Sequence, residues 1–421
     1  MKRNVLTAKQ VATRLGVKIE TIYAHVSRGA LGRTIADDGK TSRFDAAEVE
    51  RLARHGRPRA DGARVGTVDV SLATSITEIH GDHLLFRGRD AVELARTVPF
   101  EDVAELLWGG SPVERPAPWS APPEGLRVAR AAVAPLPRAT SPVERFAVIA
   151  AALACTQPLR GDLRPATVIA HARSLIAAFV ALLPFAADTA PRKVTAASIA
   201  QRLWPRLSPL AATADGVAIL DAALVLLSDH ELATSTLAAR VAASTRADPF
   251  SVVLAGLGAV AGKLHGRAPR AVHELLLHAA ASSPEAAVAR ALDEGGAILG
   301  LGHPVYRGTD PRAAYLLRRL APALKRDERK RLDDVVRIAS GGAAVQPNVD
   351  FALGALAFSM RMPLGSTEAI FAIARTAGWI AHALEEYGEA PLRFRARAVY
   401  IGPTPAPEDA VKTRPFTPTR S

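Results

Sequence analysis

From about residue 140 to about residue 390 the sequence reads as one helical pattern after another, and no other feature constrains the fold as strongly. Alanine and leucine dominate, and aromatic residues make up only 5% of the chain. Small and straight-chain side chains suit close helix-on-helix packing, so the pattern predicts a mainly α protein with a large apolar core. At 421 residues the chain has room for two or three domains. No solenoid-type repeat period is visible.

The single cysteine, Cys155, excludes an intrachain disulfide framework and a multi-cysteine metal site. It ends the apolar run AVIAAALAC, which predicts a small buried hydrophobe rather than a nucleophile. Low cysteine use fits a reducing compartment, so a cytoplasmic location is expected. The start, MKRNVLTAKQ, has no apolar signal core. The longest apolar stretch, Ser174 to Ala187, contains Pro184 and is shorter than the roughly 20 residues a span needs, so no membrane association is expected.

Charge is uneven along the chain. The formal net charge is +12, and the first sixty residues hold 13 Lys/Arg against 6 Asp/Glu, an excess of 7. Such a local basic bias is the electrostatic footprint of a nucleic-acid partner. The same region reads as a compact unit over residues 1–56. Thr7 and Gln10 form a capping-box pattern before a helix that places Val11, Ala12 and Leu15 on one face. Gly16 breaks it, and a second helix follows from about Lys18 to Arg28, with Ile19, Ile22, Tyr23 and Val26 at helical spacing. Residues 31–44 alternate around Asp38-Gly39, which predicts a short hairpin. Asp45 and Glu48 then open a third helix, Ala46 to Arg54. Residues 57–66 read as a linker, the proline-rich segment 110–123 as a loop, and 404–421 as a tail.

The segments LTAKQVATRLGVKIETIYAHVSRGAL and RFDAAEVERL resemble the winged helix-turn-helix of the MerR/excisionase type. That resemblance implies a second helix entering the DNA major groove. It would present Lys18, Thr21, His25 and Arg28 to phosphates and bases, which makes DNA an expected partner of residues 1–56. The alternative reading is an assembly or regulatory appendage without DNA affinity.

Further along, three segments set His, Asp and Arg beside glycines: AGKLHGRAP with His265, GLGHPVYRGTDPR with His303 and Arg312, and PNVDFALGALAF with Asp350. Taken singly, each has a plain structural explanation: a core histidine, half of an ion pair, a helix N-cap. Together they offer more. Glycines let backbone approach a ligand closely. An Asp flanked by Val349 and Phe351 is expected to be partly desolvated, which would raise its basicity. Two histidines can donate to two developing oxyanions. No HExxH, Cys/His ligand spacing, GxSxG elbow or Walker loop is present, so neither a metal nor a cofactor is expected.

Seven ordered blocks resemble citrate synthase over residues 66–403: LLFRGRDAVELA, LSDHELATSTLAARVAAS, AGKLHGRAP, GHPVYRGTDPRAAYL, PNVDF, IARTAGWIAHALEE and RFRARAVYIG. The resemblance implies a mainly α, two-domain helical fold over residues 67–403, with a small domain of roughly 255–360 inserted in a large one. It implies that Asp350 removes a proton from the acetyl methyl group, that His265 holds the thioester oxygen, and that His303 polarises the ketone of oxaloacetate. It further implies that Arg312, Arg375 and His230 contact substrate, and that Leu299, Gly300, Leu301 and Gly302 wrap the CoA adenine. Arg395, twenty residues past Arg375, matches the arginine supplied by a second subunit, with Arg393 and Arg397 as nearby competitors for that place, so a homodimer or larger assembly is expected.

The chemistry fits those roles. A thioester methyl is a weak carbon acid, so base and oxyanion donor must act together. A dianionic 2-oxo acid needs several cations, and arginine offers a bidentate fork. The expected reaction joins acetyl-CoA, oxaloacetate and water to give citrate and CoA. Two other readings stand beside it: a 2-methylcitrate synthase using propionyl-CoA, and a DNA-binding regulator that senses a CoA ester or carboxylate. The chain departs from the family pattern at Arg267, Pro269, Pro304 and Ala233. Those positions bear on CoA contacts, acyl-chain preference and rate.

Overall fold

A computed structural model describes residues 5–15, 31–35 and 41–45, single positions at Ile19, Ile22, Tyr23, Val26 and Val49, and then residues 70–109, 118–187, 198–295, 298–306, 308–341 and 345–394. The chain divides into two compact units, Met1–Leu72 and Ala73–Ser421. Lys18, Thr21, His25, Arg28 and Arg395 lie outside the described residues, as do the expected linker 57–66 and tail 404–421.

In the first unit, strand β1 (Val5–Thr7) leads into helix α1 (Ala8–Leu15). Thr7 and Gln10 cap it reciprocally: the Thr7 amide donates to Gln10 Oε1 at 2.9 Å, and the Gln10 amide to Thr7 Oγ1 at 3.4 Å. Strands β2 (Thr34–Ile35) and β3 (Ser42–Asp45) pair antiparallel, and β1 adds to the other edge of β3. Val11, Ile22, Leu31, Phe44 and Val49 make a small sealed core. Ile19, Ile22, Tyr23, Val26 and Val49 all have helical geometry.

The second unit opens with a three-stranded meander that the sequence reading did not anticipate. It comprises β4 (Thr77–His80), β5 (His83–Phe86) and β6 (Arg89–Asp90). Leu84 and Phe86 alternate inward from β5 into the core. Helices begin earlier than expected, at residue 91. Asp90 starts the first, α2 (Ala91–Thr97), by accepting from the amides of Val92 and Glu93. Then follow α3 (Phe100–Leu107), α4 (Pro123–Val133), α5 (Pro142–Ala154), α6 (Pro165–Leu182), α7 (Ile199–Leu207) and α8 (Ala214–Leu227). The series continues with α9 (Thr234–Ser244), α10 (Pro249–Val260), α11 (Ala268–Ala281) and α12 (Pro284–Gly295). Last come α13 (Pro311–Leu320), α14 (Arg326–Ala339), α15 (Val349–Ser359) and α16 (Ser366–Tyr387).

α16 is the axis of the unit. Most of its 22 residues are buried, on every face, so it has to be surrounded by other helices. It packs against α3, α5, α6, α8, α9, α10 and α11. Within the segment expected to form a smaller domain, α11 packs on α12, α14 and α15, and α13 packs on α15.

Two expectations need correction. Cys155 is exposed, because α5 ends at Ala154 and leaves the cysteine on the C-cap, beyond the last buried turn. The apolar stretch from Ser174 belongs to a helix that starts earlier, at Pro165, and is long and apolar enough by composition to cross a membrane. That helix, α6, is a core helix here. Val168, Ala172, Leu175 and Phe179 are fully buried, and Arg173 forms a two-pronged ion pair with Glu105 at 2.6 and 2.8 Å.

α11 and α15 touch closely at Gly354, where an added Cβ would fall 2.5 Å from Val272 Cγ1 and 3.0 Å from the His273 backbone nitrogen. Gly354→Ala is therefore expected to destabilise the fold by about 1–3 kcal/mol through overpacking. Urea denaturation monitored by circular dichroism checks this, and an unchanged midpoint would contradict the close approach.

Candidate active site

The site is assembled from the C-terminal end of α8, the loop before α11, the loops before α13 and α15, and the middle of α16. Each places its side chain for a local reason. Asn348 is the N-cap of α15. Its side chain accepts from the amides of Asp350 (2.9 Å) and Phe351 (3.4 Å) and donates to Gly302 O (2.8 Å). Asp350 is thus not the cap, as one plain reading had it, and its carboxylate is left for other work. The Asn348 amide donates to Gly300 O at 2.9 Å and the Gly302 amide to Gln346 O at 2.8 Å, which ties the Leu299–His303 loop to the start of α15. Gly300 has φ +89° and Gly302 φ +71°; at Gly300 a Cβ would also meet Val272 Cγ2 at 2.5 Å. Both backbone angle and space demand glycine there.

Asp310 was not singled out from the sequence, although Asp-Pro at a helix start is an N-cap signal. It accepts from the Arg312 amide (3.0 Å), Arg312 Nε (2.9 Å) and Nη2 (2.8 Å), and also from the Val349 amide (2.9 Å). One carboxylate therefore caps α13, fixes Arg312 and anchors the first turn of α15. Both partners of the ion pair are buried. Burial opposes the charge on Arg312, but Asp310 more than offsets it, so the guanidinium stays cationic. Arg312 is thus both half of an ion pair and a site residue.

His303, Tyr306 and His230 cluster as rings. The His303 and Tyr306 centroids are 4.7 Å apart, and those of His230 and His303 are 5.3 Å apart. His303 Nδ1 faces the amides of Val305 (3.0 Å) and Tyr306 (3.4 Å). Amides only donate, so Nδ1 accepts and the hydrogen of the neutral ring is left to Nε2, which lies 3.3 Å from Arg312 Nη2. Pro304, exposed and lacking an N–H, leaves Val305 as the first amide able to do this. Burial, then Arg312, keeps His303 below the usual imidazole range. His230 Nε2 is 3.0 Å from the Tyr306 hydroxyl, and burial with Arg312 and Arg375 holds its pKa far below the usual value.

His265 stands on the loop before α11. Its Nε2 is 2.8 Å from Ser235 Oγ, and Trp379 Nε1 donates to the same oxygen at 3.2 Å. The indole can only donate, so the Ser235 oxygen accepts from Trp379 and the hydroxyl holds the His265 ring in place. Burial, then Arg375, pulls His265 down to about 4, so near neutrality it is an uncharged donor. Ser235 and Trp379 had no signal in the sequence beyond their place in matching blocks.

Arg375 lies at the electrostatic centre, 2% exposed, and its charge bears on Asp350, His230 and His265. Its Nε donates to Leu227 O at 2.9 Å, its guanidinium carbon sits 4.7 Å from the Phe371 ring centre, and Nη1 is buried without a hydrogen-bond partner among the described residues. Burial lowers its pKa to about 10, against the opposing pull of Asp229. Burial raises Asp350 to about 6, only partly countered by Arg312 and Arg375. A carboxyl there is a base poised near neutrality.

Beside His265 opens a cleft of about 810 Å³, lined in part by Lys263, Arg267, Arg270, Arg290, Ile298 and Leu299. Glu144, Glu274 and Glu294 share the lining, and Glu274 and Glu294 pair with Arg270 and Arg290 at 3.0 and 2.7 Å. Arg267 and Arg270 both reach Glu368 beneath them, at 3.9 and 3.4 Å. Pro269 sits buried in the first turn of α11, and Ala233 is an N-cap without a side-chain bond at the start of α9. Arg393, a competitor for the role given to Arg395, is engaged by Glu386 at 2.6 and 2.7 Å.

Residues 66–397 match the family described as citrate synthase, C-terminal domain. The chain belongs to the citrate synthase family. It is an enzyme of the acyl-transferring, condensing kind that family comprises. It is 32% identical over 203 residues to a citrate synthase of Saccharolobus solfataricus, covering 45% of this chain and 53% of that one. It is 28% identical over 372 residues to a citrate/2-methylcitrate synthase of Bacillus subtilis, covering 83% and 97%. Among solved structures, the ternary complex of carboxymethyl coenzyme A and oxaloacetate with the citrate synthase of Thermoplasma acidophilum superposes with a TM-score of 0.64 at 26% identity, over 83% of this chain and 96% of that one.

The raised pKa of Asp350 fixes a sign for stability. The fold favours the protonated carboxyl, so this contribution is full below the unfolded value of 3.8 and is lost as pH rises through about 6. Asp350→Asn is expected to be more stable than the parent at pH 8, by up to about 3 kcal/mol, and to lose that advantage at pH 4. Paired urea titrations at the two pH values measure it, and a pH-independent difference would contradict the burial argument.

Proposed function

We propose that this protein condenses acetyl-CoA with oxaloacetate and water to give citrate and CoA. The observation that carries the reading is one half-buried carboxyl near pKa 6, Asp350, set with two imidazoles, His265 and His303, that burial holds below the usual imidazole range. Asp350 takes a proton from the acyl methyl while His265 donates to the thioester oxygen, so that the enol or enolate forms without a free charge. His303 donates to the ketone oxygen as the new carbon–carbon bond forms. Hydrolysis of the resulting citryl-CoA releases CoA. Arg312, Arg375 and His230 hold the two carboxylates of oxaloacetate, and the cleft lined by Leu299 and the arginines takes CoA, with Leu299 to Gly302 around its adenine. No metal or cofactor has a part in this scheme.

The solved relative that carries a carboxymethyl-CoA and oxaloacetate supports this substrate pair. The B. subtilis relative named for both activities favours a second reading, 2-methylcitrate synthesis from propionyl-CoA. One methylene in an apolar pocket separates the two by only about 1–3 kcal/mol. Residues 255–360 would close over substrate as a small domain, and Arg395 would enter the site of a partner subunit in a cytoplasmic homodimer.

The reciprocally capped α1, the β2–β3 pairing and the Val11–Ile22–Phe44–Val49 core support a winged helix-turn-helix in the first unit. Lys18, Thr21, His25 and Arg28 would face DNA. Regulation by a CoA ester or carboxylate would then be added to catalysis rather than replace it, since sensing alone has no use for Asp350.

CoA release from acetyl-CoA and from propionyl-CoA, each with oxaloacetate, tests the chemistry. Turnover should rise with pH through about 6 in kcat/KM and fall at least about 100-fold in Asp350→Ala. The ratio of the two rates names the acyl group. No turnover on either substrate would remove the proposal.

A further inference from the structure

Arg375, Gly378 and His382 lie at i, i+3 and i+7 on α16, on one helical face. All three meet the same short segment, Leu227 to Asp229, at the C-terminal end of α8. Arg375 Nε donates to Leu227 O at 2.9 Å, the Gly378 amide to Ser228 O at 3.1 Å, and His382 Nε2 lies 3.1 Å from Asp229 Oδ2. The approach at Gly378 is so close that a Cβ there would fall 2.4 Å from Ser228 O and 2.5 Å from Asp229 Oδ1. The next residue in the segment is His230.

Asp229 is a fully buried carboxylate that has no place in the reaction scheme above. Its Oδ2 accepts from Thr77 Oγ1 at 2.5 Å as well as from His382, and its Oδ1 has no hydrogen-bond partner among the described residues. His382 is also fully buried. Its Nδ1 is 3.1 Å from Arg240 Nη1, a group that can only donate, so Nδ1 accepts and Nε2–H points at Asp229. Arg240 in turn is held by Glu385 (2.7 Å) and Glu386 (3.0 Å). The chain of bonds from Arg240 through His382 to Asp229 therefore runs in one direction and fixes both the place and the ionisation of that carboxylate.

What this arrangement serves is Arg375. The guanidinium is almost wholly buried, carries one nitrogen unpartnered among the described residues, and finds its counter-charge in Asp229 rather than in a bonded carboxylate. Arg312 is the contrast, since Asp310 already occupies its Nε and Nη2. A cation held charged by a carboxylate that does not bond to it keeps its donors for an incoming anion.

We propose that Asp229 and His382 are a positioning dyad that sets the affinity of the site for the 2-oxo dicarboxylate substrate by holding Arg375 charged while leaving its Nη1 to the substrate. The inference rests on the reading of Arg375 as a substrate-carboxylate ligand. Asp229 and His382 touch no substrate; they act through Arg375 and through His230 on the same segment.

The test uses the full-length chain with Asp229→Asn, His382→Ala, His382→Gln and Thr77→Val. KM for oxaloacetate and for acetyl-CoA is measured separately, with the Kd of oxaloacetate by calorimetry. Asp229→Asn and His382→Ala should raise KM and Kd for oxaloacetate by about tenfold or more while KM for acetyl-CoA stays within about twofold. His382→Gln, which restores a donor to Asp229, should recover much of the loss. If Asp229→Asn does not fold, Thr77→Val, which removes one bond to the same carboxylate, must show the same split in the same direction. Equal changes in both KM values, or a fall in Tm with oxaloacetate affinity unchanged, overturns the dyad and leaves a structural role. A wild-type protein without turnover that still binds oxaloacetate would sink the catalytic reading alone, because the Kd series still judges the dyad. Absence of oxaloacetate binding by the wild type overturns both.

Discussion

The Asp310 carboxylate holds the site together. It accepts four hydrogen bonds, two from Arg312's side chain and one each from the first turns of α13 and α15. A buried anion on this scale is stable only when its bonds are all made, and here they are made to three different structural tasks. The cap starts α13 at Arg312. The bond to Val349 brings α15 to the same point, so that Asn348 and Asp350 stand over the Gly300–Gly302 turn. The guanidinium of Arg312 then lies beside the His303 ring. Loss of this one carboxylate would release the base, an arginine and a histidine together.

A second buried carboxylate does the opposite kind of work. Asp229 is bonded to Thr77 and His382 and leaves Nη1 of its arginine partner open. The two arginines of the site are therefore unequal. Arg312 is a fixed piece of scaffold with limited donor capacity to spare, whereas Arg375 keeps a buried nitrogen open. Burial alone would weaken both charges, and each is kept by an aspartate through a different geometry.

The same burial sets the chemistry. It pushes Asp350 up towards neutrality and keeps His265, His303 and His230 uncharged, so base and donors share one small volume without opposing each other electrostatically. At two rings the accepting nitrogen is set by neighbours that can only donate: amides at His303 Nδ1 and an arginine at His382 Nδ1. Tautomers chosen in this way cost nothing to reorganise when substrate arrives.

The sequence alone determined a good deal. Alanine-rich helical periodicity set the fold class, the Thr7–Gln10 cap and the strand alternation set the first unit's elements, and the spacing of the matching blocks singled out His230, His265, His303, Arg312, Asp350 and Arg375, which the fold brings to one site. These features are local or carried by residue identity, so they survive in one dimension. The tertiary structure decided the rest. The short strands of 77–90 escaped because their residues are stabilised by cross-strand pairing, not by local propensity. Cys155 looked buried because periodicity does not report where a helix ends. Asp229, Ser235, Trp379 and His382 gave no signal of their roles, since each acts through a partner as much as 153 residues away, and Asp310 signalled only a helix cap. A hydrogen bond across that distance is a property of packing, and packing is settled only when the helices meet.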